Sequence, residues 1–131
     1  MKILNNLVSA GISSFESPCS GYIESPLSLD DLLIQSPNST YFAKAQGLSM
    51  IQVGIYPDDL LVIDTSLTPK HMDIIIANLN GCLCCKILDV KNRKLLSAND
   101  DQSAVFIDES DTFSVEGVVI NSIRSHWKAA F

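Results

Sequence analysis

Hydrophobic and polar positions divide this chain into three unequal stretches. Over residues 1–26 the apolar side chains are scattered: Asn5 and Asn6 interrupt Ile3, Leu4, Leu7 and Val8, and serine, proline and glycine dominate from Gly11 to Pro26. Such a stretch has no face to bury and predicts an extended arm. Ser28 then precedes Leu29-Asp30-Asp31-Leu32-Leu33-Ile34, a Ser-x-x-Asp start whose carboxylates suit the positive end of a helix. Pro37 limits that helix to about two turns. Beyond it, β-branched and aromatic runs alternate with Gly, Pro, Asn and Asp, which predicts strands over Thr40–Ala45, Leu60–Asp64, Asp73–Leu79, Cys82–Val90, Lys94–Ala98, Val105–Ile107 and Thr112–Ile123. Asn78-Leu79-Asn80-Gly81 has the chemistry of a hairpin turn. The expected architecture is mostly β, with residues 27–131 forming one folded domain behind the arm.

Composition narrows the function classes. A chain of 131 residues with 47% hydrophobic and 18% charged positions has the means for one core and is too apolar to be disordered. Fifteen acidic against nine basic residues give a net charge of -6, which argues against direct binding to a phosphate backbone. No apolar run reaches the 18 or so residues of a membrane-spanning helix, and the interrupted N-terminal run lacks the hydrophobic core of a secretory signal. A soluble, cytoplasmic protein without a membrane partner is expected.

Of the four cysteines, three are crowded into Cys82, Cys84 and Cys85, and neither histidine has ligand spacing to them. In a strand, Cys82 and Cys84 share one face and Cys85 takes the other, a poor arrangement for a shared metal. Buried free thiols in a reducing compartment are expected. There is no glycine-rich phosphate loop, and no metal or other cofactor is called for. The Pro57-Asp58-Asp59 and Asn99-Asp100-Asp101 stretches read as turns, and Asp108, Glu109 and Asp111 as a solvated loop.

Two residues stand apart from this background. Ser49, in Gly47-Leu48-Ser49-Met50, follows a predicted strand at a point where glycine permits a tight backbone and an exposed side chain. Alone, it is a turn serine. Lys86 interrupts the apolar run Cys82-Leu83-Cys84-Cys85-Lys86-Ile87-Leu88, which suggests a strand buried on both faces. It is either an edge lysine reaching water or a desolvated amine. Burial disfavours a charged ammonium, and a neutral amine can take a proton from a hydroxyl. His71 and His126, the alternative bases for a Ser-His-Asp triad, both fall in predicted loops.

Taken in order, these segments resemble the LexA/UmuD family of self-cleaving Ser-Lys peptidases. The resemblance rests on Leu32-Leu33-Ile34-Gln35, Tyr41-Phe42-Ala43-Lys44-Ala45 leading into Gly47-Leu48-Ser49-Met50, and Asp59-Leu60-Leu61-Val62-Ile63-Asp64. It continues through Asp73-Ile74-Ile75-Ile76-Ala77, the turn at Gly81, Lys86 and Glu116-Gly117-Val118-Val119-Ile120, and so covers about residues 27–123. It implies a LexA-like peptidase domain of twisted antiparallel sheets, with Ser49 as nucleophile and Lys86, 37 positions later, as general base. The cleaved bond would join Ala10 to Gly11 in the arm, and the backbone amides of Leu48 and Ser49 would stabilise the oxyanion.

Only ten residues precede that bond, too few for the DNA-binding domain of LexA-type repressors, so the resemblance favours the UmuD-like branch. What it then implies is an SOS mutagenesis protein whose self-cleavage is stimulated by a RecA filament on single-stranded DNA. The shortened homodimer would support error-prone translesion synthesis by a UmuC-type polymerase. The alternative is a non-cleaving dimeric binding or regulatory module of the same fold, acting through polymerase or repressor partners. Three features depart from the family pattern: Leu48 stands where UmuD-like proteins more often have Asp, the Pro57-Asp58-Asp59 turn lacks glycine, and three cysteines precede Lys86.

Overall fold

The computed structural model describes residues 2–4, 22–24, 28–127 and 131, and the chain divides into two units, Met1–Gln35 and Ser36–Phe131. In the first unit, β1 (Lys2–Leu4) and β2 (Tyr22–Glu24) pair antiparallel with Ile3 opposite Ile23, a pairing that the patternless sequence did not announce. Ala10, Gly11 and Cys19 lie outside the described residues. Helix α1 (Leu29–Leu33) starts as its sequence dictates. The Ser28 hydroxyl accepts from the Asp31 amide at 3.2 Å and the Asp31 carboxylate accepts from the Ser28 amide at 3.1 Å, a reciprocal box that satisfies two otherwise orphaned donors. The backbone is already extended at Ile34, so the helix is shorter than the two turns that Pro37 would have allowed.

The second unit is built on a seven-stranded antiparallel sheet in the order β3-β4-β9-β5-β6-β7-β8. Its strands are β3 (Thr40–Lys44), β4 (Leu60–Asp64), β5 (Ile74–Leu79), β6 (Cys82–Asp89), β7 (Lys94–Leu96), β8 (Val105–Phe106) and β9 (Phe113–Ile123). Both faces of β5 are covered, which is why Ile74-Ile75-Ile76-Ala77 is a continuous apolar run rather than an alternating one. Ile76 joins Met50, Ile55, Leu61, Ile63 and Ala98 in one core cluster, while Ile75 and Ala77 join Leu88, Leu95, Ile107 and Val118 in another. The turn between β5 and β6 has positive φ at both central residues, Asn80 (52°) and Gly81 (86°), the two-residue hairpin conformation that suits the twist of antiparallel strands.

Strand β9 lies between β4 and β5 and changes register against each of them. Against β4, Ile120 is the extra residue between the partners of Val62 and Ile63; against β5, Glu116 is the extra residue between the partners of Ile76 and Ala77. Bulges of this kind bend a strand and strengthen its twist. They let one eleven-residue strand serve two differently directed neighbours.

β6 departs from its sequence reading. An apolar run predicted burial on both faces, but Cys82 and Leu83 are exposed and only Leu88 and Asp89 at the far end are buried. The reason is the length of the neighbour: β7 pairs with β6 only from Ile87 to Asp89. Residues 82–86 are therefore bonded to β5 on one side, and among the described residues no strand pairs with them on the other.

Candidate active site

The connection between β3 and β4 is a loop closed at its base, where the Ala45 amide donates to the Asp59 carbonyl at 2.8 Å and the Asp58 amide to the Ala45 carbonyl at 2.9 Å. Gly47 has φ +82°, a conformation that L side chains rarely adopt, and it turns the chain into Leu48-Ser49-Met50. Met50 is only 3% exposed and anchors the loop in the core. Its carbonyl accepts from the amides of Val53 and Ile55, both at 3.2 Å, through the 3-10 turn Ile51–Val53. Ser49 is left half-buried one residue before this anchor. It thus lies inside the loop, five residues beyond the last residue of β3.

Lys86 sits opposite Ile75 on the part of β6 that β7 does not reach and is also half-buried. Its Nζ donates to Ser97 Oγ at 2.8 Å. Ser49 and Lys86 line one cavity of about 450 Å³, whose other walls include Ala45, Gly47, Leu83, Cys84 and Cys85. A hydroxyl, an amine and apolar walls beside a strand segment that β7 does not reach can together hold an extended peptide and act on its carbonyl.

The segment after β7 reaches back to the serine loop. The Gln52 amide donates to the Ala98 carbonyl at 2.8 Å, and Asn99 Nδ2 donates to the Leu48 carbonyl at 2.9 Å. Sequence reasoning had no signal for Ser97, and it read Asn99 only as part of a turn.

The thiols are sorted by burial. Cys82 is exposed, against the expectation of a buried thiol, because it starts the strand beyond the reach of β7; Cys84 and Cys85 are half-buried and all three are free. Burial raises the Cys84 thiol and pushes the Cys85 thiol up to about 11. Among the described residues no group of three or more His, Cys, Asp and Glu side chains is placed to hold a metal ion. Nor is any described helix long and apolar enough to cross a membrane.

Asp59 is another departure. Read as a turn carboxylate, it is 2% exposed and gripped by Arg124, whose Nε and Nη2 reach its two oxygens at 2.8 Å each. The Tyr56 amide adds a third donor at 2.8 Å. The Arg124 hydrogen bonds hold the Asp59 carboxyl below the usual carboxylate range, against the opposing effect of burial. Arg124 also donates to the Gly54 carbonyl at 2.9 Å and lies 4.2 Å from the Tyr56 ring centroid. These contacts surround a second cavity of about 390 Å³, lined also by Lys44 and His126. His71 Nδ1 accepts from the Val90 amide at 3.2 Å and lies 3.6 Å from Asp89. Neither histidine lines the Ser49 cavity.

Known proteins resemble this chain over most of its length. A Peptidase S24-like family model matches residues 2–120. Protein MucA of Salmonella typhimurium is 34% identical over 121 residues, covering 91% of this chain and 81% of MucA. Protein ImpA of Shigella flexneri is 34% identical over 114 residues, with 87% and 75% covered. A LexA repressor from Acidithiobacillus ferrooxidans is 35% identical over 106 residues, 77% of this chain but 51% of the repressor. A family match across nearly the whole chain, with relatives at this identity, makes the protein a member of the Peptidase S24-like family, the LexA/UmuD group of serine peptidases.

Proposed function

We propose that the protein is a self-cleaving Ser-Lys peptidase of the UmuD-like kind, which cuts its own N-terminal arm between Ala10 and Gly11. The observation that carries this reading is the shared cavity: Ser49 and Lys86 come from distant parts of the chain and line the same walls, beside a part of β6 that β7 does not reach. A strand side of this kind can hold an extended peptide as an added strand. Ser49 Oγ attacks the Ala10 carbonyl, Lys86 takes the hydroxyl proton and returns it to the departing Gly11 amine, and water then releases the acyl group. The amides of Leu48 and Ser49 stabilise the oxyanion. Tethering supplies the effective concentration that a free substrate would lack.

The UmuD-like relatives MucA and ImpA support the wider assignment to SOS mutagenesis. In it, a RecA filament on single-stranded DNA stimulates cleavage in the cytoplasm, and the shortened homodimer assists a UmuC-type translesion polymerase. Binding through protein partners suits a chain of net charge -6. One observation favours the alternative of a non-cleaving dimeric module: the Lys86 amine is bonded to Ser97, not to Ser49.

Intact mass over time separates the two. The purified protein is incubated at neutral pH and at about pH 10, near the range in which a lysine in water loses its proton, and again with RecA, ATP and single-stranded DNA. A new fragment beginning at Gly11, absent in Ser49→Ala and in Lys86→Ala, is the expected result. An intact chain under every condition would leave the non-cleaving module.

A further inference from the structure

Three consecutive residues after β7 bond to Lys86 and to the loop that carries Ser49. Ser97 Oγ takes the hydrogen bond of Lys86 Nζ at 2.8 Å, the Ala98 carbonyl takes that of the Gln52 amide at 2.8 Å, and Asn99 Nδ2 gives one to the Leu48 carbonyl at 2.9 Å. The segment is itself anchored. Ala98 is 7% exposed in the same core cluster as Met50, and Asn99 Oδ1 accepts from the Asp101 amide at 2.9 Å, which fixes the orientation of its amide group.

The consequence for Ser49 follows from peptide geometry. The Leu48 carbonyl and the Ser49 N–H belong to one planar, trans unit and point to opposite sides of it. Tying down the carbonyl therefore sets the direction of the Ser49 N–H, the donor assigned above to the oxyanion. At the other end, a lysine side chain has four rotatable carbons and loses much freedom when it is held in place. The Ser97 hydroxyl limits it to one approach across the cavity wall.

We propose that Ser97 and Asn99 are positioning residues for the reaction, one aiming the Lys86 amine and the other orienting the peptide that carries Ser49. Because they are separated only by the core-anchored Ala98, they fix the two reacting groups relative to each other as well as to the fold. This inference rests on the self-cleavage reading. It adds that the short segment 97–99, rather than the strands alone, sets the alignment of the pair.

The test uses the full chain and two readouts. One is the first-order rate of self-cleavage. The other is the rate at which Ser49 is labelled by a small phosphonofluoridate, which reports nucleophile activation without involving the arm. Ser97→Ala and Asn99→Asp are each expected to slow both by about tenfold to a hundredfold, the scale of misplacing a reacting group by about an ångström. Melting temperatures should stay close to that of the wild type, and Ser97→Thr, which keeps the hydroxyl, should restore the rate lost in Ser97→Ala. Wild-type rates in both Ser97→Ala and Asn99→Asp would overturn the inference and leave the dyad standing. So would a loss that tracks a fall in melting temperature and is not rescued by threonine. A wild-type chain that neither cleaves nor labels at Ser49 would overturn the dyad, and this inference with it.

Discussion

Residues that look alike in the sequence are separated by their surroundings. Cys82, Cys84 and Cys85 lie within four positions, yet the first is exposed while burial raises the thiols of the other two, that of Cys85 to about 11. Since the thiolate is the reactive form, iodoacetamide at mildly alkaline pH should label Cys82 first and Cys85 last. Peptide mapping over time checks this, and equal labelling of all three would contradict the burial described. Asp59 and Asp58 are likewise neighbours with opposite fates, one buried against Arg124 and the other exposed. Asp59→Asn removes the charge that Arg124 grips and should lower the melting temperature by several degrees at neutral pH. The Asp59 carboxyl is held below its unfolded value of about 3.9, so the stabilisation is complete above that value. It is lost as pH falls through the lower folded value. Melting curves of wild type and variant should accordingly begin to converge as the pH falls below about 4, and a gap that did not narrow with further acidification would refute the charge pair as its source.

At the scale of elements, what could be read from the sequence was what alternation and turn chemistry encode. β4 and β5, the Asn80-Gly81 hairpin and the capping box at Ser28 carry local signals, and the structure places these elements within a residue or two of the expected bounds. The exposure of the first half of β6 could not be read, because it depends on how far β7 extends, a property of the neighbour. The site divides the same way. Ser49 and Lys86 are singled out as candidates by an ordered set of family-like segments, whereas Ser97 and Asn99 are tied to their neighbourhood by hydrogen bonds that leave no local pattern. Gly117 is an intermediate case, present in the quoted motif but explained only by packing. A Cβ there would fall 2.5 Å from Ile63 Cγ2 and 3.4 Å from the Asp64 carbonyl oxygen, so β9 can cross β4 closely only without a side chain. Gly117→Ala should cost about 2 kcal/mol, the usual scale of overpacking. Urea unfolding measures it, and an unchanged midpoint would mean that Ile63 repacks freely.

Across the molecule, the sheet consists of two blocks with different chain histories. β3 and β4 form one, with the Ser49 loop between them; β5 to β8 form the other, with Lys86 on β6. In the sheet the blocks meet only through β9, which pairs with β4 on one side and β5 on the other. Residues 60–64 thus find their partners near residues 118–123, a non-local pairing of the kind that slows folding. A ribosome delivers these segments in order, so both blocks can emerge and form their hairpins before the strand that joins them exists outside the exit tunnel. Until residues 118–123 pair, a nascent chain carries Ser49 and Lys86 on pieces that the sheet does not yet unite, so the self-cleavage proposed above would wait for the last strand to close.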